Sequence, residues 1–188
     1  MDKNNVEFSE FGHLIAREAY YKNFYDKGLG EPLCQTIRGY APDASELEKF
    51  LDCKLGVDMI FEVDSIITTR LGTSYIGKRK RTAQERFVRN MRDSITISIQ
   101  TGSGHEGELF RLDLASHFIY GEYNGTDITD MIFITNTTLL ADAIFDKKIL
   151  FTTHENPNNG TIFIAIKIEE LDRNNIPYVR FKNKNKLH

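Results

Sequence analysis

A chain of 188 residues is long enough for one well-buried core and short for two. With 40% hydrophobic and 27% charged residues it has the make-up of an ordinary globular domain, which sets aside the disordered and low-complexity classes. A formal net charge of −3 argues against a broadly basic nucleic-acid coat, but not against a local basic groove, because screening confines charge effects to about 10 Å at 0.1 M salt.

In chain order, Ser9 is placed to cap a first helix over EFGHLIAREAYYKNFYDKG, with Phe11, Leu14, Ile15 and Ala19 on one apolar face. Gly28 and Gly30 end it, and the chain to Pro42 reads as a loop. Asp43 or Ser45 caps a short second helix, SELEKFLDCKL. GVDMIFEVDSIITTRL is rich in Ile, Val, Phe and Thr and reads as strand. A short apolar piece, TSYI, precedes RTAQERFVRN, and SITISIQTG alternates as a strand does. GSGHEG is a loop, and ELFRLDLASHFIYGEYN begins as strand with a short helix near Ala115 to Phe118. DMIFITN reads as strand, and TLLADAIFDKK as a helix capped by Thr137 or Thr138. TIFIAIKI is a late strand, and EELDRNNIPYVRF a short helix leading to a last one. This order predicts one α/β domain over residues 1–188, with a mixed central sheet flanked by helices.

No apolar run reaches the ~18 residues of a membrane span, and the acidic start MDKNNVEFSEF lacks the pattern of a signal peptide. A cytoplasmic protein without a membrane partner is expected, with Cys34 and Cys53 as reduced thiols. No Gly-x-Ser-x-Gly elbow and no His-Glu-x-x-His helix is present, so hydrolases built on those motifs are not supported.

Basic charge gathers in one stretch, where Arg70, Lys78, Arg79, Lys80, Arg81, Arg86, Arg89 and Arg92 face a single acid, Glu85. Two readings of Lys78 to Arg81 stand side by side: a solvated loop or hairpin tip, and a contact to the DNA backbone extended by Arg89 and Arg92. His105, beside Glu106 and Glu108, belongs either to a flexible hairpin loop or to a metal or general-base site. The aromatics Tyr20, Tyr21, Phe24 and Tyr25 suit either core packing or base stacking.

Metal-assisted phosphodiester hydrolysis needs an acid that holds a divalent cation, a metal-bound water of lowered pKa and a cation that steadies the developing charge. Two neighbouring strands supply this when one starts at an Asp and the next carries residues at i and i+2 on one face. Asp58 stands just after Gly56 at the mouth of an apolar strand, and Gln84 and Arg86 lie two apart in TAQERFV. Each also has a plain reading: Asp58 as a strand-end cap, and Gln84 with Arg86 as the wet face of a strand or of a helix over 82–90.

The combination Gly-x-Asp followed by Gln-x-Arg resembles the PD-(D/E)xK nuclease superfamily, over roughly Glu10 to Phe151. The resemblance implies a restriction-endonuclease-like core and a metal-dependent DNA endonuclease, of structure-guided or phage type. It makes Asp58, Gln84 and the helix residue Glu18 ligands of Mg²⁺ or Mn²⁺, and puts Arg86 in the place of the catalytic lysine. Lys78, Arg79, Lys80, Arg81 and Arg89 would track DNA. Glutamine is a neutral ligand and arginine cannot carry a proton at neutral pH. A catalytically inactive DNA-binding protein on the same fold is therefore the alternative, and a protein-interaction factor, or homodimer, the third.

Overall fold

A computed structural model of the chain describes Ile15 and residues 31–39, 41–68 and 70–182. The predicted first helix, with Glu18, His13 and the aromatics Tyr20 to Tyr25, lies outside the described residues apart from Ile15, which is helical.

The described elements run β1 (Glu31–Thr36), α1 (Glu46–Lys49) continuing as a π turn (Phe50–Lys54), β2 (Met59–Thr68), β3 (Ser74–Val88) and β4 (Ser94–Gln100). A 3₁₀ helix (Glu108–Leu114) then leads to β5 (His117–Tyr123), β6 (Ile128–Ile134), α2 (Thr137–Phe145), β7 (Thr152–Glu155), β8 (Ile162–Lys167), α3 (Ile168–Arg173) and β9 (Tyr178–Lys182). The molecule is mixed α/β, as expected, but it holds two sheets rather than one. The larger is six-stranded and mixed, in the order β1-β2-β3-β5-β6-β9; the smaller is three-stranded, β4-β8-β7. Where a layer of helices was expected, the small sheet, α2 and the 3₁₀ helix together cover one face of the large sheet.

β5 explains why two layers are needed. It is buried on both faces, and its alternation sends Phe118 and Tyr120 one way and Ile119 the other. Phe118 and Tyr120, with Ile132 and Ile134 of β6, meet Ile95, Ile97, Ile164 and Ile166 of the small sheet. α2 closes this core with Thr137, Leu140, Ala141 and Ile144, a stripe at three- and four-residue spacing. Each large aliphatic or aromatic side chain so buried contributes roughly 1.5–3 kcal/mol. Met59, Phe61, Ala83, Ile119 and Phe133 form the second core on the far side of the large sheet, where Ile15 packs.

β3 governs the topology. It pairs antiparallel with β2 from Ser74 to Ala83, then parallel with β5 from Ala83 to Val88. β1 covers β2 only near Met59 to Glu62. Beyond that the outer parts of β2 and β3 form a two-stranded ribbon, near whose turn Ile66, Leu71 and Ile76 are exposed.

Several local expectations change. Of the two expected caps, Ser45 rather than Asp43 caps α1, in a full capping box with Glu48. The segment expected as loop contains β1, an edge strand able to accept Pro32. TSYI and RTAQERFVRN are one strand, so Lys78 to Arg81 lie within β3 rather than in a loop or at a tip. ELFRLDL is a 3₁₀ helix, not strand: Leu109 and Leu112, three apart, and the following Ala115 are all buried. No helix forms at Ala115 to Phe118, where β5 begins. α2 is capped by Asn136, whose side chain accepts from Leu139 N–H at 2.9 Å; the Thr137 hydroxyl instead donates to the Ala115 carbonyl. No helix among the described residues is long and apolar enough to cross a membrane.

Candidate functional site

The partner change in β3 brings the sequence-predicted residues together. At the mouth of β2 the Asp58 N–H donates to the Ala83 carbonyl at 2.9 Å, and Asp58 Oδ2 accepts from Glu85 N–H at 2.7 Å. The aspartate thus brackets Gln84 from both sides, its carboxylate standing in for the backbone acceptor that β2 no longer supplies. Gln84 is only 4% exposed, and its side-chain oxygen has no hydrogen-bond partner among the described residues. A buried carbonyl oxygen left unpaired costs about 1–3 kcal/mol, so its retention needs a reason.

Gly56 lies directly against the Gln84 amide. Its φ is +62°, in the left-handed region, and a Cβ there would sit 3.4 Å from the Gln84 amide carbon and nitrogen. A side chain at this position would be strained by the backbone and would fill the space beside Gln84.

Strand alternation sets the rest. Gln84 is in register with Phe118 and Arg86 with Tyr120, on the face toward the small sheet; Glu85, opposite Ile119, is buried toward the other core. Gln84 and Arg86 therefore share a face, as their i, i+2 spacing predicts. Arg86 has a fixed partner that no local pattern in the sequence points to. Its guanidinium pairs with Glu108 Oε2, with the two side chains 26% and 18% exposed. The same Glu108 oxygen accepts from Ser98 N–H at 3.0 Å and the Ser98 hydroxyl at 3.1 Å, and Glu108 N–H donates back to that hydroxyl at 3.0 Å. The first residue of the 3₁₀ helix is thereby tied to β4 and aims its carboxylate at β3.

A second polar knot lies on the other side of the partner change. The Ser116 hydroxyl donates to the Thr82 carbonyl at 2.8 Å and lies 2.9 Å from His117 Nδ1. His117 packs against Phe61 and Phe133, with ring centroids 5.0 and 4.9 Å away. Burial pushes its pKa down to about 4, and the positive charge of Arg81 adds to the effect.

The basic run is less uniform than its sequence implies. Lys78 and Lys80 alternate to one face of the ribbon, where Lys78 Nζ lies 4.0 Å from Glu62 Oε2, while Arg79 and Arg81 point to the opposite face. Arg79 and Lys80 are exposed and Arg81 is half-buried; Arg89 is exposed just past the end of β3. His105 is exposed in its loop, away from any metal-ligand cluster: no group of three or more His, Cys, Asp or Glu side chains placed to hold a metal occurs among the described residues. Asp58 and the Gln84 oxygen nevertheless have the hard-oxygen chemistry a small divalent cation takes. No protein-family model matches the chain, and no curated protein matches it in sequence.

Proposed function

We propose that the chain is a metal-dependent DNA endonuclease with a divergent restriction-endonuclease-like core. The observation that carries this reading is the buried oxygen of Gln84, without a partner among the described residues, bracketed by Asp58 and with Gly56 beside its amide. The antiparallel pairing of β2 with β3 and the parallel pairing of β3 with β5 suit such a core. Asp58 and Gln84, with Glu18 as third ligand, would hold Mg²⁺ or Mn²⁺. Such an ion supplies charge neutralisation at phosphate and an acidified water.

The chain's own groups supply binding and orientation. Asp58 is fixed by the Glu85 N–H, so its second carboxylate oxygen keeps one direction. Arg86 presents its remaining N–H groups as a fixed phosphate donor, with Glu108 preventing it from swinging. It moves no proton, because a guanidinium stays charged. Arg79, Lys80 and Arg89 contact the DNA backbone at longer range.

A second reading is favoured by one specific feature, the neutral ligand Gln84 followed by an arginine already matched to a carboxylate. It is a DNA-binding protein on this fold that does not cleave. Incubation with supercoiled, branched and single-stranded DNA in Mg²⁺ or Mn²⁺ separates the two. The nuclease reading expects metal-dependent cleavage that Asp58→Ala abolishes. No cleavage on any substrate, with binding that weakens steeply in salt, sinks it and leaves the binder.

A further inference from the structure

A cleft of about 550 Å³ opens between the end of β3 and the small sheet, on the same face as Gln84 and Arg86. That volume is within the usual range for a small-molecule site. Its chemistry is one-sided. Arg86 and Arg92 line it, and no carboxylate is among the described residues that do. Three asparagines also line it, and each has its side-chain oxygen tied to a nearby backbone N–H. Asn90 accepts from Arg92 at 3.1 Å, Asn156 from Asn158 at 3.0 Å and Asn159 from Thr161 at 3.0 Å. With the oxygens so used, the amide NH₂ groups are what these residues have left to offer. The wall therefore combines these amide donors with the charge of Arg92 and of Arg86, the latter already paired with Glu108.

Beside those donors is a flat aromatic surface. His154 of β7 stacks on Phe163 of β8, with centroids 5.5 Å apart and rings inclined by 25°. Thr152 holds the His154 ring through Nε2 at 2.8 Å. A ligand that suits this wall has a planar heteroaromatic part and an anionic, acceptor-rich part. A nucleotide has both.

We infer that this cleft binds an unpaired nucleotide of a single DNA strand, with its base against His154 and Phe163 and its phosphate toward Arg86, Arg92 and the asparagine amides. The choice of a strand as ligand rests on reading the adjoining Asp58–Gln84 site as a nucleic-acid site. On that basis, a strand in the cleft lies against β3 at Arg86, two residues from Gln84 in sequence, and the preferred substrate contains single-stranded or distorted DNA.

The test is binding of a fluorescein-labelled oligothymidylate of about 12 nucleotides, read by anisotropy in EDTA so that no metal or cleavage is involved. The double variant Asn156→Asp with Asn159→Asp keeps the oxygens that hold the turn and replaces the donors with negative charge. It is expected to weaken the single strand at least tenfold and a blunt duplex much less; His154→Ala is expected to weaken the strand several-fold. Thermal melting of each variant checks the fold. The inference is overturned by single-strand affinity within twofold of wild type, by equal losses on strand and duplex, by a wild type that binds no single strand, or by displacement of the strand by equimolar free thymidine monophosphate. Because Asp58→Ala cleavage is scored separately, the two readings can fail separately. Cleavage lost in that variant alongside unchanged strand binding in the asparagine variant removes the cleft and leaves the nuclease.

Discussion

The outer part of β3, residues 74–82, pairs with β2 alone, whereas the inner part from Ala83 to Val88 lies against β5. Both alternate, and both carry cations. In the outer part Lys78 lies 4.0 Å from Glu62 across the ribbon, and Lys78, Arg79 and Lys80 all reach solvent. In the inner part Arg86 is half-buried and held by an acid from a different layer, and Gln84 is enclosed. The difference is one of position. A cation on a two-stranded ribbon is stabilised by water, so its partners count for little. One between two layers has lost that water, so its partner is worth several kcal/mol.

The largest test of this contrast is Glu108→Ala. It strips Arg86 of its carboxylate and leaves Ser98 N–H without its acceptor, so urea unfolding should lose about 2–4 kcal/mol. Lys80→Ala or Arg79→Ala in the outer part should stay within about 0.5 kcal/mol. Equal effects in the two parts would break the comparison.

His117 gives a pH readout at the boundary. Its folded pKa of about 4 lies below the ordinary 6.5, so the unfolded chain binds the proton more readily. Its contribution is complete above about pH 6.5 and is lost as pH falls toward 4, on the order of 2 kcal/mol by pH 5. His117→Gln should flatten the stability profile between pH 7 and 5; a profile as steep as wild type would contradict this.

A smaller loss than that of Glu108→Ala, and the sharpest in chemistry, is expected of Gln84→Glu. A buried carboxylate there should lower stability by about 1–2 kcal/mol in EDTA and recover it in millimolar Mn²⁺, seen as a metal-dependent Tm. If neither wild type nor variant responds to the metal, the cation assignment at Asp58 and Gln84 fails.

Much of the inner part was legible because strand alternation is a local signal. Gln84 and Arg86 share a face from spacing alone, and Ser45 with Glu48 announces its capping box. Local signals failed where long-range contact decides. The 3₁₀ helix hides Leu109 and Leu112 in an apolar run that reads equally well as strand, and only packing under β4 selects the tighter turn. β7 is exposed at every position, so it carries no burial pattern to read. Glu108 as the partner of Arg86 was beyond reach, since 22 residues separate them and no motif links the two.

The change of partner at Ala83 also sets an order of assembly. β2–β3 and β5–β6 are hairpins joined by short turns, which close within microseconds. The β3–β5 ladder must instead close a loop that contains all of β4 and the 3₁₀ helix, and β4 finds β8 only across the chain, Ser94 against Lys167. Loop entropy is lost before such contacts return anything, so this seam should be slow to form. In pulse-labelled hydrogen exchange during refolding, amides of the hairpins should gain protection before those shared by β3 and β5, and the reverse order would refute it. The packing around Gln84 is then among the last parts of the protein to exist, formed only after the basic ribbon is already paired.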